Sequence, residues 1–348
     1  MKSPQIQRIL FVLTRGGVGD LLLTSTLMET FKKCYPNCSV TCWINPAMRP
    51  VMENNPFADG FLEPGADASF ARKLSLVRRG RFDLAVMPWS TSAQAWICAL
   101  AGIPVRVGQA ERITYSFLFT HAVRVRSLHG DTTSHWVDCQ LDYARILGLS
   151  IPEVLPGIWL TAEEKAGGKE FLKELGIKPG EKVVGMHLGK GMNINPQIWP
   201  TDKFAAAGKI ICGWPGYRLV IMGGPKEVEL AAKVEEEIGG GVLNIAGKTG
   251  LRQLAGVISA MDVLICPDSG PGHIAAAVGV PVVSIFALKE DFPNRWKPYG
   301  VPSRVIRVEN SGCTNTCIKG NCRYFKCLLA IDENQVARAA RELAEQRT

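Results

Sequence analysis

The sequence predicts an α/β protein with two domains, each built on a parallel sheet covered by helices. Apolar runs of strand length alternate with helical patterns along the chain, which is typical of parallel sheets. Two of these strands lead directly into glycine-rich turns, at residues 15–20 and 268–273. The chain has 348 residues, too many for one ordinary hydrophobic core, so the two turns are expected to belong to separate domains.

Individual elements follow from apolar spacing and from the position of glycine and proline. In the first half we predict strands at 8–14, 39–44, 83–88, 105–107 and 122–125, and helices at 20–33, 93–101 and 134–147. In the second half we predict strands at 183–188, 218–222, 242–245, 262–266, 282–286 and 305–308, with helices at 226–238, 251–259 and 332–346. Prolines and glycine between residues 150 and 182 mark the division between the halves.

Composition and charge exclude several classes of protein. Hydrophobic residues make up 47% of the chain and charged residues 21%, so the chain can bury two cores and is not disordered. No apolar run reaches the length of a membrane span and no signal peptide is recognised, so we expect a cytoplasmic protein. The net charge of +8 is too modest to indicate a nucleic-acid partner.

Basic residues cluster in one short segment, at Arg72, Lys73, Arg78, Arg79 and Arg81. The simpler interpretation, and the one we favour, is a solvated helix face with the loop after it. The alternative is attraction to an anionic substrate or to an anionic membrane surface.

The first glycine turn contains Gly16, Gly17, Gly19 and Asp20. It is not a dinucleotide-binding fingerprint, because Leu22 stands where the third glycine is required, and no Gly-Lys-Ser/Thr follows to make a P-loop. Asp20 has two interpretations of similar weight. It is either a helix N-cap or a carboxylate that takes a proton from an acceptor hydroxyl, and one carboxylate can do both with its two oxygens.

The second turn predicts a phosphate site. A helix that starts directly after a buried strand presents unpaired N–H groups and the positive end of its dipole at the carboxyl edge of the sheet. Gly270 and Gly272 would allow a ligand to approach the backbone closely. The competing interpretation is capping by Asp268 or Ser269 with Pro271 in the first turn, which leaves His273 unexplained.

Together the two turns resemble glycosyltransferase family 9, the ADP-heptose:lipopolysaccharide heptosyltransferases. The likeness spans almost the entire chain in the same order. Besides the turns at 16–24 and 268–277 it includes His135 at the start of a helix and the motifs at 183–189, 199–200, 222–225 and 247–251.

The resemblance implies a GT-B fold, with two Rossmann-like domains that face each other across a cleft. We therefore expect an acceptor-binding domain at 1–165, a donor-binding domain at 166–331, and a final helix at 332–348 that crosses back to the first domain. It further implies an inverting transferase that uses no metal and no cofactor. The donor would be ADP-heptose and the acceptor a lipid-linked core oligosaccharide, reached at the cytoplasmic face of the inner membrane.

The resemblance also assigns roles to residues. Asp20 corresponds to the general base, with Gly17, Gly19 and His135 on the acceptor side. The residues that correspond to the donor site are Gly189, Lys190, Gln197, Gly223, Gly224, Lys248, Thr249, Leu251, Asp268, Ser269, Gly270, Gly272 and His273. Gln197 departs from the family, which carries a lysine there, and Lys190 in the same loop is a possible substitute.

Two alternatives to this assignment stay open. The neutral Gln197 is compatible with a different nucleotide-sugar donor, and a non-catalytic nucleotide-binding protein is the alternative from another class. A separate question concerns four of the 11 cysteines, Cys313, Cys317, Cys322 and Cys327. We rank free or redox-labile thiols in a surface loop first, a zinc site second and an iron–sulfur site third.

Overall fold

The computed structural model describes residues 6–65, 67–189, 199–286, 293–308 and 326–347. The chain divides into two compact units, Met1–Trp159 and Leu160–Thr348. The expected boundary at 165/166 falls inside a helix that the structure assigns to the second unit as a whole. The division therefore comes just before that helix, in the extended segment that leads to it.

The first unit contains six strands and six α-helices among its described residues. The strands are β1 (Arg8–Leu13), β2 (Ser39–Ile44), β3 (Gly60–Leu62), β4 (Leu84–Met87), β5 (Val105–Gln109) and β6 (His121–Val123). The helices are α1 (Val18–Cys34), α2 (Arg49–Met52), α3 (Phe70–Gly80), α4 (Ser92–Leu100), α5 (Trp136–Gln140) and α6 (Asp142–Arg145).

The second unit repeats the pattern within its described residues. Its strands are β7 (Lys182–His187), β8 (Tyr217–Met222), β9 (Val242–Asn244), β10 (Val263–Pro267), β11 (Val282–Ile285) and β12 (Ser303–Ile306). Its helices are α7 (Ala162–Glu174), α8 (Thr201–Cys212), α9 (Val228–Ile238), α10 (Leu251–Ser259), α11 (Gly270–Ala277), α12 (Pro293–Trp296), α13 (Lys326–Leu329) and α14 (Glu333–Gln346).

Both sheets are parallel and have the same strand order. The first runs β3-β2-β1-β4-β5-β6 and the second β12-β11-β10-β7-β8-β9, which is the same doubly wound order read from the other edge. In each sheet the order reverses between the first and fourth strands of the unit. Ligands of open α/β sheets bind at that reversal, outside the carboxyl ends of the strands.

The strands that flank each reversal form the centre of the core. Residues Ile9 to Leu13 of β1 are at most 1% exposed. Helices α3 and α4 pack on one face of the sheet, and α1 with α5 and α6 covers the other. The buried hydroxyls of α1 bond back to carbonyls in the preceding turn, for example Ser25 to Leu22 and Thr30 to Thr26, so α1 buries them without an unsatisfied donor.

The last helix is part of the second unit. α14 is grouped with that unit and packs against α8 and strands β7, β10, β11 and β12, and its expected crossing to the first domain stays a prediction. The cause of this packing is its apolar face, on which Val336, Ala340 and Leu343 are fully buried in the core of the second unit.

Other differences are local. The strand β3 has only three half-buried residues and shows no apolar run from which to predict it. The predicted helix at 134–147 is divided at Leu141 into α5 and α6, and the predicted helix at 226–238 begins with a 3₁₀ turn at Pro225–Glu227. The helix α10 has the predicted bounds.

Candidate functional site

The first glycine turn joins β1 to α1 and holds Asp20 against the backbone. Gly16 has a φ of +96°, and a Cβ there would lie 2.9 Å from the Cβ of Asp20, so only glycine fits this position. The Gly17 N–H donates to Oδ2 of Asp20 at 2.8 Å. Asp20 is therefore not the N-cap that the sequence suggested as one alternative. It is the third helical residue and satisfies the N–H of Gly17, which is the N-cap.

The Asp20 carboxyl also has a raised pKa. Burial raises the pKa of its carboxyl above the usual 3.8, and the bond from Gly17 opposes that rise. Among the described residues Oδ1 accepts no hydrogen bond. The carboxylate thus has one oxygen fixed by the turn and one available to a reactant.

A cavity of about 240 Å³ opens at the carboxyl ends of β1 and β2. Its polar wall is held together by Gln94, whose amide donates to the hydroxyl of Thr14 and accepts the N–H of Thr91. Thr14 is the last residue before the glycine turn, so the cavity adjoins the turn that holds Asp20. The lining residues include Trp43, Asn45, Lys73, Thr91, Gln94 and Ile97.

His135 and Gly19 both lie at the starts of helices. His135 is the N-cap of α5, and its Nδ1 accepts the N–H of Val137 at 3.1 Å. This bond places the proton of a neutral ring on Nε2. Gly19 lies in the first turn of α1 beside Asp20.

In the second unit, strand order brings the predicted donor residues to one edge. They follow β10, β7, β8 and β9, which are adjacent in that order. Ser269 after β10 contacts the end of β7, since its hydroxyl lies 3.4 Å from Nδ1 of His187. The loops after β8 and β9 are joined by the Gly247 N–H, which donates to the carbonyl of Gly223 at 2.9 Å.

The turn at 268–273 has the predicted helix-initiating geometry. Ser269 is the extended N-cap of α11 and Pro271 lies in its first turn. The Ser269 side chain makes no cap bond. Pro271 has no N–H and the Gly272 N–H donates to the Ser269 carbonyl at 3.1 Å, so the Gly270 N–H is the backbone donor of this first turn that can face an anion. Asp268 is half-buried between strand and helix, and His273 is buried within α11.

Gly272 has a packing role that the sequence did not predict. It is buried, and a Cβ there would lie 2.8 Å from Sγ of Cys266 in β10. The glycine therefore permits α11 to pack closely on the sheet, and the expectation that it also admits a ligand to the backbone stays a prediction.

Glu227 is a residue of this edge that sequence reasoning missed. Its Oε2 accepts the Gly224 N–H at 2.6 Å, and a Cβ added at Gly223 or Gly189 would lie within 3.0 Å of its side chain. Its relation to Gly224 repeats that of Asp20 to Gly17. The shared signal was present in the sequence, as two glycines followed three residues later by a carboxylate after β1 and after β8.

The loop after β9 supplies the remaining predicted donor residues. Lys248 is exposed and its ammonium donates to the Asn244 carbonyl at 2.8 Å. Thr249 and Leu251 are half-buried where the loop enters α10. These residues form the outer end of the same edge.

Some predicted residues lie outside the described residues, namely Lys190, Gln197, Cys313, Cys317 and Cys322. Cys327 is described and is buried on α13. Within the described part of the chain, no group of three or more His, Cys, Asp or Glu side chains is arranged to hold a metal ion.

Burial of His187 gives a testable dependence of stability on pH. Loss of solvation lowers the pKa of this imidazole to about 4, from 6.5. Between these values the unfolded chain binds the proton and the folded chain does not, so stability falls as the pH falls. We expect the free energy of unfolding to lose about 3 kcal/mol from this residue between pH 7 and pH 4.

The measurement is urea unfolding across that pH range for the wild type and for His187→Gln. Glutamine keeps a hydrogen-bonding group near Ser269 but does not titrate. The difference in stability between the two proteins should change with pH in favour of the variant. A difference that is constant from pH 7 to pH 4 would contradict the assignment.

The sequence of this chain matches a known protein family. The family model for glycosyltransferase family 9 (heptosyltransferase) matches residues 69–326, most of the chain. The chain belongs to glycosyltransferase family 9. It is therefore a glycosyltransferase, and the resemblance seen in its motifs is confirmed.

Relatives with names place the chain among heptosyltransferases. It is 40% identical over 311 residues to the lipopolysaccharide core heptosyltransferase OpsX of Haemophilus influenzae, with 86% of this chain and 84% of that protein covered. It is 25% identical to lipopolysaccharide heptosyltransferase 2 of Escherichia coli K12, with 86% of this chain and 88% of that protein covered.

Solved structures confirm the fold class, α/β of the GT-B type with two parallel six-stranded sheets. The family 9 glycosyltransferase from Veillonella parvula superposes with a TM-score of 0.83 at 24% identity, with 98% of this chain and 97% of that chain covered. The E. coli ADP-heptose heptosyltransferase II superposes with a TM-score of 0.78 at 22% identity, with 98% and 99% covered. Among the described residues no helix is long and apolar enough to cross a membrane.

Proposed function

We propose that this enzyme transfers a heptose from ADP-heptose to the inner core of lipopolysaccharide, with inversion and with Asp20 as the general base. The observation that carries the proposal is the 40% identity to a lipopolysaccharide core heptosyltransferase over most of both chains. It is supported by the residues at the carboxyl ends of the strands in each sheet. In the first unit, Asp20 has one oxygen bonded to the backbone and one available, and the second unit has a turn suited to a diphosphate.

The acceptor step assigns a role to each oxygen of Asp20. The Gly17 N–H holds Oδ2, and Oδ1 takes the proton of the acceptor hydroxyl as its oxygen attacks the anomeric carbon. The new glycosidic bond forms on the face opposite the nucleotide, and the bond to the diphosphate breaks. The raised pKa of Asp20 makes it a stronger base than an ordinary carboxylate.

The donor step concerns the second unit. ADP leaves with its electron pair, so negative charge grows on the diphosphate and must be stabilised. The Gly270 N–H at the start of α11 and the positive end of the helix dipole are suited to this charge. Burial keeps His187 neutral at physiological pH, so this ring acts near the diphosphate as a hydrogen-bonding group and not as a cation.

A direct test of the donor is calorimetric binding of ADP-heptose, ADP, UDP and GDP to the wild-type protein. We expect binding of the two ADP species and little of the other two. Preference for UDP or GDP would replace the donor and leave the family and the fold in place. No binding of any nucleotide would contradict the transferase proposal.

The cavity in the first unit is the candidate acceptor subsite. Among the described residues that line this cavity, one is charged, Lys73. Its ammonium is suited to an anionic group on the acceptor. We expect Lys73→Gln to raise the acceptor KM about tenfold or more with little change in kcat, because a charge-assisted hydrogen bond is lost.

The matched control is Arg79→Gln, which removes a charge from the same helix at an exposed position outside the cavity lining. Both variants are assayed with a deacylated, water-soluble acceptor. An equal rise in KM for the two variants would show a general charge effect and contradict a specific contact at Lys73.

A further inference from the structure

The positive charge of this protein is concentrated in one part of the first unit. Residues 68–130 contain nine basic and two acidic side chains, a net charge of +7, whereas the whole chain carries +8. Both carboxylates are engaged, and one of the nine cations, Arg126, is itself paired with carboxylates just beyond the segment. Asp83 accepts the backbone N–H groups of Gln7 and Arg8, and Glu111 accepts the N–H of Val125 and contacts His129.

The same segment exposes large apolar side chains. Ile113 is 88% exposed and Phe117 is 67% exposed, both in the connection between β5 and β6. Trp96 and Leu100 on α4 are 42% and 46% exposed. The rings of Trp96 and Phe117 meet edge to face with centroids 5.9 Å apart, so the connection and α4 form one surface. We call these four residues the apolar patch.

Basic residues of α3 lie beside the apolar patch. Arg78 donates from Nε and Nη2 to the Leu100 carbonyl at 3.3 and 2.9 Å, which ties the end of α3 to the end of α4. Arg72 and Arg79 are exposed and seven residues apart, hence on one face of α3, and α3 contains no acidic residue.

We propose that the apolar patch and α3 form the surface by which the first unit docks on an anionic lipid bilayer. Aromatic and aliphatic side chains insert at the boundary between headgroups and acyl chains, while arginines beside them attract anionic headgroups. A second copy of the chain is a poor occupant, since a symmetric dimer would bring the same positive charge against itself. The inference concerns binding and stands apart from the proposed sugar transfer.

The test is co-sedimentation of the full chain with vesicles of phosphatidylethanolamine and phosphatidylglycerol, with phosphatidylcholine vesicles as the neutral comparison. We expect preferential binding to the anionic vesicles. Ile113→Ser with Phe117→Ser should lower the partition coefficient at least about tenfold. Arg72→Gln with Arg79→Gln should lower it about 25-fold.

Matched controls remove similar groups elsewhere. Leu155→Ser with Leu329→Ser removes two exposed apolar side chains outside the patch, and Lys173→Gln with Lys233→Gln removes two exposed cations. Neither control pair should change the partition coefficient by more than about twofold. Activity on a deacylated acceptor should be unchanged in the Ile113 and Phe117 variant, which shows that it is folded.

Several outcomes would overturn the proposal. These are equal binding to neutral and anionic vesicles, equal losses in the control pairs, or no binding at all. Binding that depends on the arginines but not on the apolar patch would indicate a soluble polyanion. A concentration-dependent dimer that Phe117→Ser abolishes in sedimentation equilibrium would assign the patch to self-association.

Discussion

Asp20→Asn is expected to lower kcat by about 100-fold or more with a small effect on stability. The amide oxygen of asparagine still accepts the Gly17 N–H, which Oδ2 of Asp20 accepts at 2.8 Å, so the start of α1 is preserved. What is lost is the basic oxygen that takes the acceptor proton. The measurements are steady-state kinetics with ADP-heptose and a soluble acceptor, together with thermal unfolding.

Asp20→Ala provides the contrast, because it removes both the base and the bond to Gly17. It should lose activity like the asparagine variant and also lose about 1 kcal/mol of stability. If Asp20→Asn kept more than a tenth of the wild-type kcat, Asp20 would be a capping residue and not the base.

The pH profile tests the same role independently. The base acts only when ionised, so kcat/KM should rise with pH through the pKa of Asp20 and level off above it. Because burial raises this pKa, the acid limb should lie above the 3.8 of an ordinary aspartate. A limb at or below that value would show that burial does not govern the ionisation of the base.

Gly168→Ala is expected to destabilise the second unit by about 3 kcal/mol. A Cβ at Gly168 in α7 would lie 2.1 Å from the carbonyl oxygen and 2.2 Å from the carbonyl carbon of Gly256 in α10. These are backbone atoms and cannot rotate away, so the two helices must separate. The reverse contact is also too short for a side chain, because a Cβ at Gly256 would lie 2.5 Å from the Glu164 carbonyl oxygen.

The neighbouring glycine is the control for this prediction. Gly167 is in the same helix, is exposed, and has nothing within 4 Å of an added Cβ. Gly167→Ala should therefore stabilise the protein by about 0.5–1 kcal/mol, as in an open helical position. Urea unfolding of both variants measures the contrast. A loss of less than 1 kcal/mol in Gly168→Ala would show that α7 and α10 can move apart freely.

Some features of the candidate site could be predicted from neighbouring residues in the sequence, and others could not. The two glycine turns were predicted because each follows a buried strand directly, and that relation depends only on neighbouring residues. The position of Asp20 within its helix was decided by Gly16 and Gly17, whose backbone geometry shifts the helix start to Val18. The role of Gly272 depends on how α11 folds back onto Cys266 of the preceding strand, β10, which the sequence pattern did not reveal.

Features built from distant segments were not predicted. Glu227 gains its place from glycines after two different strands, Gly189 after β7 and Gly224 after β8. The cavity beside Thr14 needs β2, α3 and α4 to meet at one edge. The apolar patch arises where Phe117 contacts Trp96, which is 21 positions earlier in the chain.

By itself the sequence determined the α/β class, most strands and helices, and the two turns that end β1 and β10, because periodicity, glycine and proline act over a few residues. The family also followed from the sequence, through motifs that keep their order. Only the tertiary structure decided which strand ends become neighbours, which glycines serve packing, and where α14 docks. These depend on strand order and helix packing, which bring together residues far apart in the chain.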